Sequence, residues 1–311
     1  MLIQKADQAL AIRALKNAAP YIRLYKGRTF VVKAGGGVFG DIALTRTLIE
    51  QIGILHYFGV RVVMVHGGGP QLTAISESLG VQTRMVQGRR VTDERAIEVS
   101  AMVLNGLINT RILAICRELA IDAVGVSGID AGLVRAHRRP PVRLEENGET
   151  VDFGLVGDID GIDPTVIRKL LDNGLMPVVS PLSADANGVL LNINADTVAA
   201  ELAAALGAEK LILCTGAHGI LERLDDPGSL ISFTDLAGLE RLRRDARIAD
   251  GMLPKAKAIE SAIRGGVKRV HVVSYKAPEG ILGEVFTNEG TGTLIVADVN
   301  ALSAAEQQAH G

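Results

Sequence analysis

The sequence predicts an α/β fold with a mostly parallel sheet, and three observations lead to that prediction. Short β-branched runs alternate with helical segments along most of the chain, the order of elements that is typical of parallel α/β folds. Two strand–glycine–helix units follow each other directly, over residues 29–55 and 61–79. Hydrophobic residues make up 48% of the 311 residues, which suits one large or two modest domains with a substantial core.

Composition and charge exclude several classes of partner. The net charge is −2, so the chain has no basic field to hold nucleic acid or an anionic membrane surface. The N-terminus lacks an apolar signal core, and Asp7 argues against a transit peptide. Cys116 and Cys214 lie in apolar runs without metal-ligand spacing, so we interpret them as buried thiols in a reducing compartment. A cytoplasmic protein is expected.

The chain begins with a helix-forming segment, residues 1–19, which Pro20 is expected to end. A helix ahead of the first core strand has no obvious place in the sheet. It is therefore expected either to fray or to dock on another surface, such as a second subunit.

The first glycine loop follows the first predicted strand. The β-branched run 29–33 leads into Gly35, Gly36 and Gly37, and a helical pattern follows them. Bare backbone N–H groups at a helix N-terminus stabilise an anion, and Lys33 adds a positive charge at the same place. We interpret this segment as a phosphate cradle; the alternative is a plain strand-to-helix turn.

The second glycine loop repeats the pattern about thirty residues later. Strand 61–65 precedes a helix over 71–79, and between them lie His66, Gly67, Gly68, Gly69 and Pro70. Parallel neighbouring strands place both glycine loops at the same carboxyl edge of the sheet. Residues 35–40 also match the dinucleotide fingerprint GxGxxG, but His66 stands where that fingerprint needs an acidic residue, which argues against a dehydrogenase.

A turn and a long helix come next. Gly88 marks a hairpin-like turn, and Asp93 is a suitable N-cap for a helix over 94–119. Arg89 and Arg90 lie in the turn, where an arginine is commonly solvated. Arg90 directly precedes a Val-Thr pair of strand character, so its planar fork is placed to meet a carboxylate at the sheet edge.

The rest of the chain continues the alternation of strands and helices. A polar excursion over 137–150 contains the hairpin turn Asn147-Gly148. The other predicted elements are strands over 123–126, 151–156, 176–180, 210–214, 269–274 and 293–296, and helical segments over 164–173, 195–206, 234–247 and 255–264.

Polar residues at two helix starts bear on the chemistry. Asn192, Asn194 and Asp196 precede or open one helix, where each is either a capping group or a site residue. Lys255 lies in the first turn of another, where a cation is unfavourable unless an anion binds there. With Lys33 and the glycine loops it suits phosphoryl transfer, which needs charge neutralisation and positioning. A carboxylate acceptor is already ionised at neutral pH, so the absence of a candidate base is consistent with acyl-phosphate formation.

Seven motifs in order resemble the amino-acid kinase superfamily, and within it the kinases of N-acetyl-L-glutamate: VVKAGGG, VVMVHGGGPQ, GRRVTD, LNINAD, AEKLIL, DGMLPK and EVFTNEGTGT. The resemblance covers roughly residues 20–296. It implies a three-layer α/β/α sandwich around a mainly parallel sheet. It also implies an N-terminal oligomerisation and regulation helix (1–24), an N-lobe that binds the acetylated amino acid and dimerises (25–205), and a C-lobe that binds MgATP (206–311).

The resemblance also assigns roles to individual residues. Lys33 and Lys255 would stabilise the transferring phosphoryl group, Asp196 would orient both lysines, and Arg90 and Asn192 would bind the substrate's α-carboxylate and neighbouring polar groups. The remaining assignments, to substrate, phosphate or nucleotide, are Gly35, Gly36, Gly68, Gly69, Thr215, Gly216, Gly219, Gly251 and Met252. ATP phosphates would hold Mg²⁺, without a protein metal site.

Two segments depart from the family pattern. The family usually has an acidic residue after the C-lobe strand, whereas this chain reads Leu213-Cys214-Thr215-Gly216, so a nucleotide contact is lost or replaced. Phe39 also makes the first loop bulkier than usual. The alternatives are an inactive arginine-sensing domain, against which the retained lysines argue, and a kinase for a related N-acylated amino acid such as an aminoadipate derivative.

Both ends of the chain resemble the arginine-sensitive members of the superfamily. In those relatives the N-terminal helices of neighbouring dimers interlace into a hexamer, with arginine bound between that helix and the C-lobe. The matching positions in this chain are Tyr21, Lys210, His271, Glu284 and Gly290. The alternative is a frayed helix and an ordinary surface turn.

Overall fold

The structure is a computed structural model that describes residues 5–86, 88–144, 148–223, 226, 228–245, 247, 252–287 and 290–301. Its α-helices are α1 (Lys5–Tyr25), α2 (Ile42–Tyr57), α3 (Gly69–Ser78), α4 (Glu94–Ala101), α5 (Thr110–Glu118), α6 (Thr165–Asp172), α7 (Ala195–Leu206), α8 (Leu236–Arg244), α9 (Leu253–Arg264) and α10 (Gly280–Phe286). Its strands are β1 (Thr29–Ala34), β2 (Arg61–His66), β3 (Arg84–Val86), β4 (Arg89–Val91), β5 (Ala123–Ser127), β6 (Val134–Arg138), β7 (Val142–Arg143), β8 (Thr150–Val151), β9 (Gly157–Ile162), β10 (Met176–Ser180), β11 (Leu182–Ala184), β12 (Leu190–Asn192), β13 (Lys210–Thr215), β14 (Phe233–Asp235), β15 (Arg269–Ser274) and β16 (Thr293–Val296).

Eight of these strands form one central sheet in the order β14-β16-β15-β13-β1-β2-β10-β5. Neighbouring strands in it are parallel except for the pair β15 and β16. The first strand of the chain, β1, lies in the middle, between β13 and β2. The predicted α/β class with a mainly parallel sheet is confirmed.

Helices cover both faces of the sheet. Successive strand residues point to opposite faces, so Val31 joins a core formed with α6, α7, α8 and α9, whereas Phe30 and Val32 join a second core formed with α2, α4, α5 and α10. Strand β10 is buried at every position, as expected of the continuous apolar strands in a sheet covered on both sides. The three-layer α/β/α sandwich is therefore confirmed.

The N-terminal helix does not end at Pro20, contrary to the prediction: α1 continues to Tyr25 with Pro20 inside it. Proline removes one backbone donor, and the packing of the last turn offsets that loss. The Tyr25 ring lies 5.2 Å from the Phe30 ring, and the Tyr21 ring lies 6.5 Å from that of Phe286. Apolar side chains that are more than half exposed along this helix are Leu10, Ile12, Leu15 and Leu24.

Two other predictions were wrong in part. The strand predicted over 151–156 ends at Val151, and the next strand is β9. Gly154 between them has a φ of +70°, a left-handed conformation that breaks an extended run. The helix predicted from Thr234 begins at Leu236, because Asp235 caps it by accepting a hydrogen bond from the Gly238 N–H (2.7 Å). The other predicted elements match within two residues.

The long helix over residues 94–118 contains a π-helical segment, Met102–Asn109, between α4 and α5. Asp93 caps its start as predicted, accepting a hydrogen bond from the Ala96 N–H (2.8 Å). At the end of the π-helical segment, Asn109 Nδ2 donates to the Val178 carbonyl of the sheet (3.0 Å). This helix is long and apolar enough to cross a membrane, but half of its most apolar window (50%) is buried inside the molecule, which is typical of a core helix.

Candidate active site

The two glycine loops meet at the carboxyl edge of the sheet, as the sequence predicted. Strands β1 and β2 are parallel and in register, so the loops that follow them lie side by side. A Cβ atom on Gly36 would lie 2.8 Å from the Gly69 nitrogen and 2.9 Å from the Gly68 Cα. Only glycine permits this approach of one backbone to another.

The helix after the first glycine loop begins later than predicted. A 3₁₀ turn occupies Gly36–Gly40, and Asp41 then caps α2 by accepting hydrogen bonds from the N–H groups of Ala43 (2.8 Å) and Leu44 (3.1 Å). The positive end of α2 is therefore satisfied by its own carboxylate. At the second loop, by contrast, α3 begins at Gly69 itself, so its first N–H groups have no partner within the helix.

Three buried charged side chains lie beneath these loops. Lys33 Nζ is 2.8 Å from Asp196 Oδ1, and Lys255 Nζ is 3.1 Å from both Asp196 oxygens. Lys33 is 6% exposed, Lys255 is 9% exposed and Asp196 is 8% exposed. Two ammonium groups share one carboxylate, so the cluster carries an excess positive charge away from water, where an anion is attracted strongly.

The pKa values of this cluster reflect the same imbalance. Burial favours the neutral acid at Asp196, but Lys33 and Lys255 outweigh burial and hold the pKa of Asp196 below its ordinary value. The pKa of Lys255 is lowered by burial and then by Lys33, although Asp196 acts in the opposite direction. A bound anion would supply the missing negative charge and stabilise the charged form of Lys255.

Two helix starts position the cluster. Asn194 is the N-cap of α7 and accepts hydrogen bonds from the N–H groups of Asp196 (2.8 Å) and Thr197 (3.3 Å). The cap fixes Asp196 in the first turn of α7, where a carboxylate is favourable. Lys255 lies in the first turn of α9, and its ion pair with Asp196 offsets the unfavourable helix dipole. Asn194 is thus a capping residue, and Asp196 belongs to the site.

A cavity of about 310 Å³ opens beside the cluster. It brings together all four residues predicted for substrate binding, Gly36 of the first glycine loop and two of the predicted catalytic residues: Gly68, Gly69, Arg90, Asn192, Gly36, Lys33 and Asp196. Apolar side chains on its wall are Leu72, Met85, Leu104, Val156 and Ile193. The cavity therefore combines cationic groups with an apolar surface, which suits a small acylated anion.

Neutral groups hold Arg90 in place. Its Nη1 donates to Thr83 Oγ1 (2.9 Å), and its Nη2 donates to Thr73 Oγ1 (2.7 Å) and to the Gly69 carbonyl (3.2 Å). Within the described ranges no carboxylate pairs with Arg90, and burial lowers its pKa. The guanidinium is therefore oriented by neutral partners, and its charge is not neutralised by the protein.

Sequence reasoning missed Arg139, which also lines the cavity. Its Nε is 3.0 and 3.1 Å from the two Asp158 oxygens, and its guanidinium lies 5.7 Å from the centre of the Phe153 ring. The signal was present as the basic run His137-Arg138-Arg139 before two prolines. That run was interpreted only as part of a polar excursion.

Of the described residues predicted for the phosphates and the nucleotide, Gly36 lines this cavity and the others do not. The Gly35 N–H donates to the Cys214 carbonyl (3.3 Å), which joins the first glycine loop to the loop after β13. In that loop Thr215 Oγ1 accepts a hydrogen bond from the Ala217 N–H (3.1 Å). Gly216 follows Thr215 at the same edge of the sheet.

The other nucleotide assignments lie farther along the C-terminal part of the chain. Gly219 packs closely against Thr293, since a Cβ atom there would lie 2.6 Å from Thr293 Oγ1. Met252 packs against the core beside α9. Gly251 lies outside the described residues.

Three of the five residues predicted for an arginine site, Lys210, His271 and Glu284, form a buried chain of polar contacts. Lys210 Nζ lies 2.9 Å from His271 Nε2, and His271 Nδ1 lies 2.6 Å from Glu284 Oε1. Lys210 also lies 5.2 Å from the centre of the Tyr25 ring on α1. Gly290 has a φ of +64°, and a Cβ atom there would lie 2.9 Å from Glu284 Oε2. Tyr21 packs against Phe286 beside this chain.

Burial dominates the pKa values in that chain. It lowers the pKa of Lys210 to about 7, with a further lowering by Arg269. It also lowers the pKa of His271 to about 4, with Lys210 acting in the same direction. At Glu284 burial acts against ionisation, but the bonds from His271 and two backbone N–H groups outweigh it and lower the pKa to about 2.

The two cysteines are buried and free, as predicted. Burial raises the pKa of Cys116 to about 11 and that of Cys214 to about 12, so both thiols are protonated and unreactive at neutral pH. In the described part of the chain, no three or more His, Cys, Asp or Glu side chains lie together in a way that could hold a metal ion.

Comparison with known proteins gives a family and several relatives. The model of the amino acid kinase family matches residues 28–274. The acetylglutamate kinase of Myxococcus xanthus is 45% identical over 289 residues, which cover 92% of this chain and 94% of the relative. The acetylglutamate kinase of Symbiobacterium thermophilum is 40% identical over 282 residues, which cover 91% of this chain and 96% of the relative.

Solved structures of the same architecture include synthases and a kinase. N-acetylglutamate synthase from Neisseria gonorrhoeae with coenzyme A and N-acetyl-glutamate superposes with a TM-score of 0.80 at 27% identity, covering 93% of this chain; this chain spans 64% of the synthase. The same synthase with coenzyme A and L-arginine superposes with a TM-score of 0.79 at 26% identity, covering 92% of this chain and 65% of the synthase. Carbamate kinase from Giardia lamblia bound to AMP-PNP superposes with a TM-score of 0.63 at 21% identity, covering 88% of this chain and 99% of the carbamate kinase. This likeness shows the fold alone.

Proposed function

The chain belongs to the amino acid kinase family, and we propose that it is an acetylglutamate kinase, which transfers a phosphoryl group from ATP to the side-chain carboxylate of N-acetyl-L-glutamate in arginine biosynthesis. The observation that carries this proposal is the buried Lys33–Asp196–Lys255 cluster beneath two glycine loops. The names of the relatives support the choice of acyl substrate. The enzyme is proposed to act in the cytoplasm.

We propose that the work of the reaction is divided among residues as follows. Arg90 and Asn192 bind the α-carboxylate and neighbouring polar groups of the acetylated amino acid, and the N–H groups of Gly68 and Gly69 face the acceptor carboxylate. Lys33 and Lys255 stabilise the negative charge of the transferring phosphoryl group, the main requirement of this chemistry. Asp196 fixes the positions of both ammonium groups. No general base is needed, since the acceptor carboxylate is ionised at neutral pH.

The nucleotide is proposed to bind on the other side of the lysines. Residues 25–205 would hold the acetylated amino acid and residues 206–311 would hold ATP, with phosphate contacts at Gly35, Gly36 and the loop Thr215–Gly219. The close contact between the first glycine loop and the Cys214 carbonyl supports a shared phosphate site. Mg²⁺ carried on the ATP phosphates would neutralise further phosphate charge.

A hydroxamate assay tests the proposed activity. The full chain is incubated with MgATP, N-acetyl-L-glutamate and hydroxylamine, which traps the acyl phosphate, and the Lys255→Ala variant serves as the control. Hydroxamate from N-acetyl-L-glutamate is the expected result. Product only from an N-acylated aminoadipate would identify a kinase of that substrate instead. No product from either acyl amino acid, with arginine bound, would indicate a sensor without kinase activity.

We further propose that arginine inhibits the enzyme and that the enzyme is a hexamer, a trimer of dimers joined through α1. The buried chain from Lys210 to Glu284 lies directly beneath the last turn of α1, so a ligand there would contact both. The exposed apolar side chains of α1 suit burial against a second copy. A synthase with the same fold was solved with L-arginine. Arginine can inhibit only by binding one conformation better than another.

A further inference from the structure

Tyr275 occupies a place in the site that neither the sequence motifs nor the proposed function uses. It follows Ser274, the last residue of β15, and its N–H donates to the Thr215 carbonyl (2.9 Å). Tyr275 is therefore anchored beside the loop that follows β13. That loop is the segment where the family's usual acidic residue is absent from this chain.

The side chain of Tyr275 lies between the two halves of the proposed phosphate site. A Cβ atom on Gly37 would lie 2.5 Å from the Tyr275 hydroxyl oxygen, and a Cβ atom on Gly216 would lie 3.1 Å from it. Gly37 belongs to the first glycine loop, and Gly216 to the loop after β13. The absence of a side chain at both positions gives the hydroxyl its place.

The Tyr275 hydroxyl makes no hydrogen bond to any described residue. It is a donor and an acceptor, and it lies close to the backbone of both Gly37 and Gly216. Lys33 lies at the root of the same loop, with its Nζ 3.8 Å from the position of a Cβ on Gly35. A tyrosine hydroxyl that has no hydrogen-bond partner among the described residues, and that lies between two glycine loops near Lys33, is placed to donate to an anion.

We propose that the Tyr275 hydroxyl donates a hydrogen bond to a phosphate oxygen of the bound nucleotide, from between Gly37 and Gly216. This inference rests on the proposed function for the nature of the anion, and it adds a ligand that reaches the phosphates from β15. Tyr275 thereby supplies a nucleotide contact in the region where the sequence pattern indicated that one is lost or replaced.

Calorimetric titration with the MgATP analogue AMP-PNP tests this contact without turnover. Tyr275→Phe keeps the ring and removes only the hydroxyl, so the dissociation constant should rise about tenfold or more, as expected for a hydrogen bond to a charged group. The KM for N-acetyl-L-glutamate should not change. Tyr57→Phe is the matched control, because that hydroxyl donates to the Leu119 carbonyl on the surface (2.5 Å); it should bind AMP-PNP as the wild type does.

A double-mutant cycle with Gly37→Ala separates this contact from a general loss of structure. The added methyl group would lie 2.5 Å from the hydroxyl but 3.5 Å from the ring carbon that bears it. Gly37→Ala should therefore weaken AMP-PNP binding strongly in the presence of Tyr275 and weakly in its absence, a non-additive result.

Two outcomes would overturn the inference. One is wild-type affinity for AMP-PNP in Tyr275→Phe. The other is a fully additive cycle, in which Gly37→Ala weakens AMP-PNP binding by the same factor in the Tyr275→Phe variant as in the wild type. If wild type forms no hydroxamate but binds AMP-PNP and loses affinity in Tyr275→Phe, the kinase proposal fails and the Tyr275 contact stands. A wild-type chain that does not bind AMP-PNP overturns both.

Discussion

At the scale of single residues, the charge balance of the site depends on Asp196. Its carboxylate is within 3.1 Å of two ammonium groups, and all three side chains are nearly excluded from water. Removing one member of such a buried set leaves an uncompensated charge. The arrangement is therefore sensitive to each of its members, and each lysine has an effect on turnover that can be measured separately.

Replacing Lys255 by alanine should lower turnover by roughly a hundredfold or more, about 3 kcal/mol of transition-state stabilisation. The same reduction is expected for Lys33→Ala, because both charges act mainly on the phosphoryl group in the transition state. The KM values should change less than kcat. Steady-state kinetics with both substrates gives the two parameters separately, and near-full turnover in Lys255→Ala would contradict the role assigned to that residue.

Arg90→Lys should raise the KM for N-acetyl-L-glutamate and leave the KM for ATP roughly unchanged. Lysine keeps the charge but loses the planar fork, and it cannot reproduce the bonds to Thr73 and Thr83 that orient the guanidinium. Arg46→Lys is a suitable control, because Arg46 forms an exposed pair with Glu118. A change confined to the KM for ATP would show that Arg90 acts on the nucleotide side of the site.

The positions of Lys33 and Asp196 in the fold were easier to predict from the sequence than the position of Arg139. Lys33 and Asp196 lie in motifs at the ends of strands and the starts of helices. The alternation of strands and helices predicts parallel strand pairing, which brings such motifs to one edge of the sheet. Arg139 reaches the cavity only because the excursion folds back over it and pairs with Asp158. That path depends on long-range contacts, which no local pattern records.

At the scale of elements, the chain of contacts between β13, β15 and α10 makes stability depend on pH. The pKa of Lys210 falls from 10.5 to about 7 on folding. Between these values the unfolded chain binds a proton that the folded chain does not, so the free energy of unfolding rises with pH. His271 and Glu284, which lie in the same chain of contacts, have pKa values of about 4 and about 2 in the folded protein, so neither changes its protonation state in the folded protein within this window.

Lys210→Met should therefore flatten the rise in unfolding free energy between about pH 7 and about pH 8.5. Urea denaturation at several pH values measures that slope. The window ends below the ordinary pKa of the cysteines, whose raised values would act in the opposite direction at higher pH. Lys257→Met, at an exposed position of α9, should keep the wild-type slope. An unchanged slope in Lys210→Met would show that Lys210 keeps its charge in the folded protein.

Deleting residues 1–19 should yield dimers and weaken inhibition by arginine without abolishing catalysis. The deletion removes three of the four exposed apolar side chains of α1, Leu10, Ile12 and Leu15. It leaves the last turn, in which Tyr21 and Tyr25 contact the body of the protein. Analytical ultracentrifugation and inhibition curves measure the two effects. A full-length protein that sediments as a dimer and is unaffected by millimolar arginine would rule out this regulation, and the kinase assignment would stand.

Elements buried on both faces were the easiest to predict. Strands such as β10 read as unbroken apolar runs, whereas the short strands of the excursion depend on turns such as that at Gly154. The π-helical segment before α5 has no signature in the apolar pattern, since it is set by packing against the sheet. The continuation of α1 through Pro20 likewise follows from tertiary contacts that override a local breaker.

At the scale of the whole molecule, both proposed lobes share one sheet. Strand β1 pairs with β2 on one edge and with β13 on the other, so the proposed amino-acid and nucleotide sides meet along a continuous hydrogen-bonded surface. Both lysines contact Asp196, Lys33 from β1 and Lys255 from the first turn of α9. The site therefore forms only when parts of the chain that are far apart in sequence come together.

Because β1 lies between β2 and β13, it acquires its two neighbouring strands at different times during synthesis on the ribosome. Strand β1 is made early, but its partner β13 emerges about 180 residues later. Until then, one edge of an apolar strand is without its partner, and such an edge is prone to pair with other chains. The nascent chain therefore passes through a long interval in which β1, a strand that is almost fully buried in the folded protein, lacks one of its two neighbours.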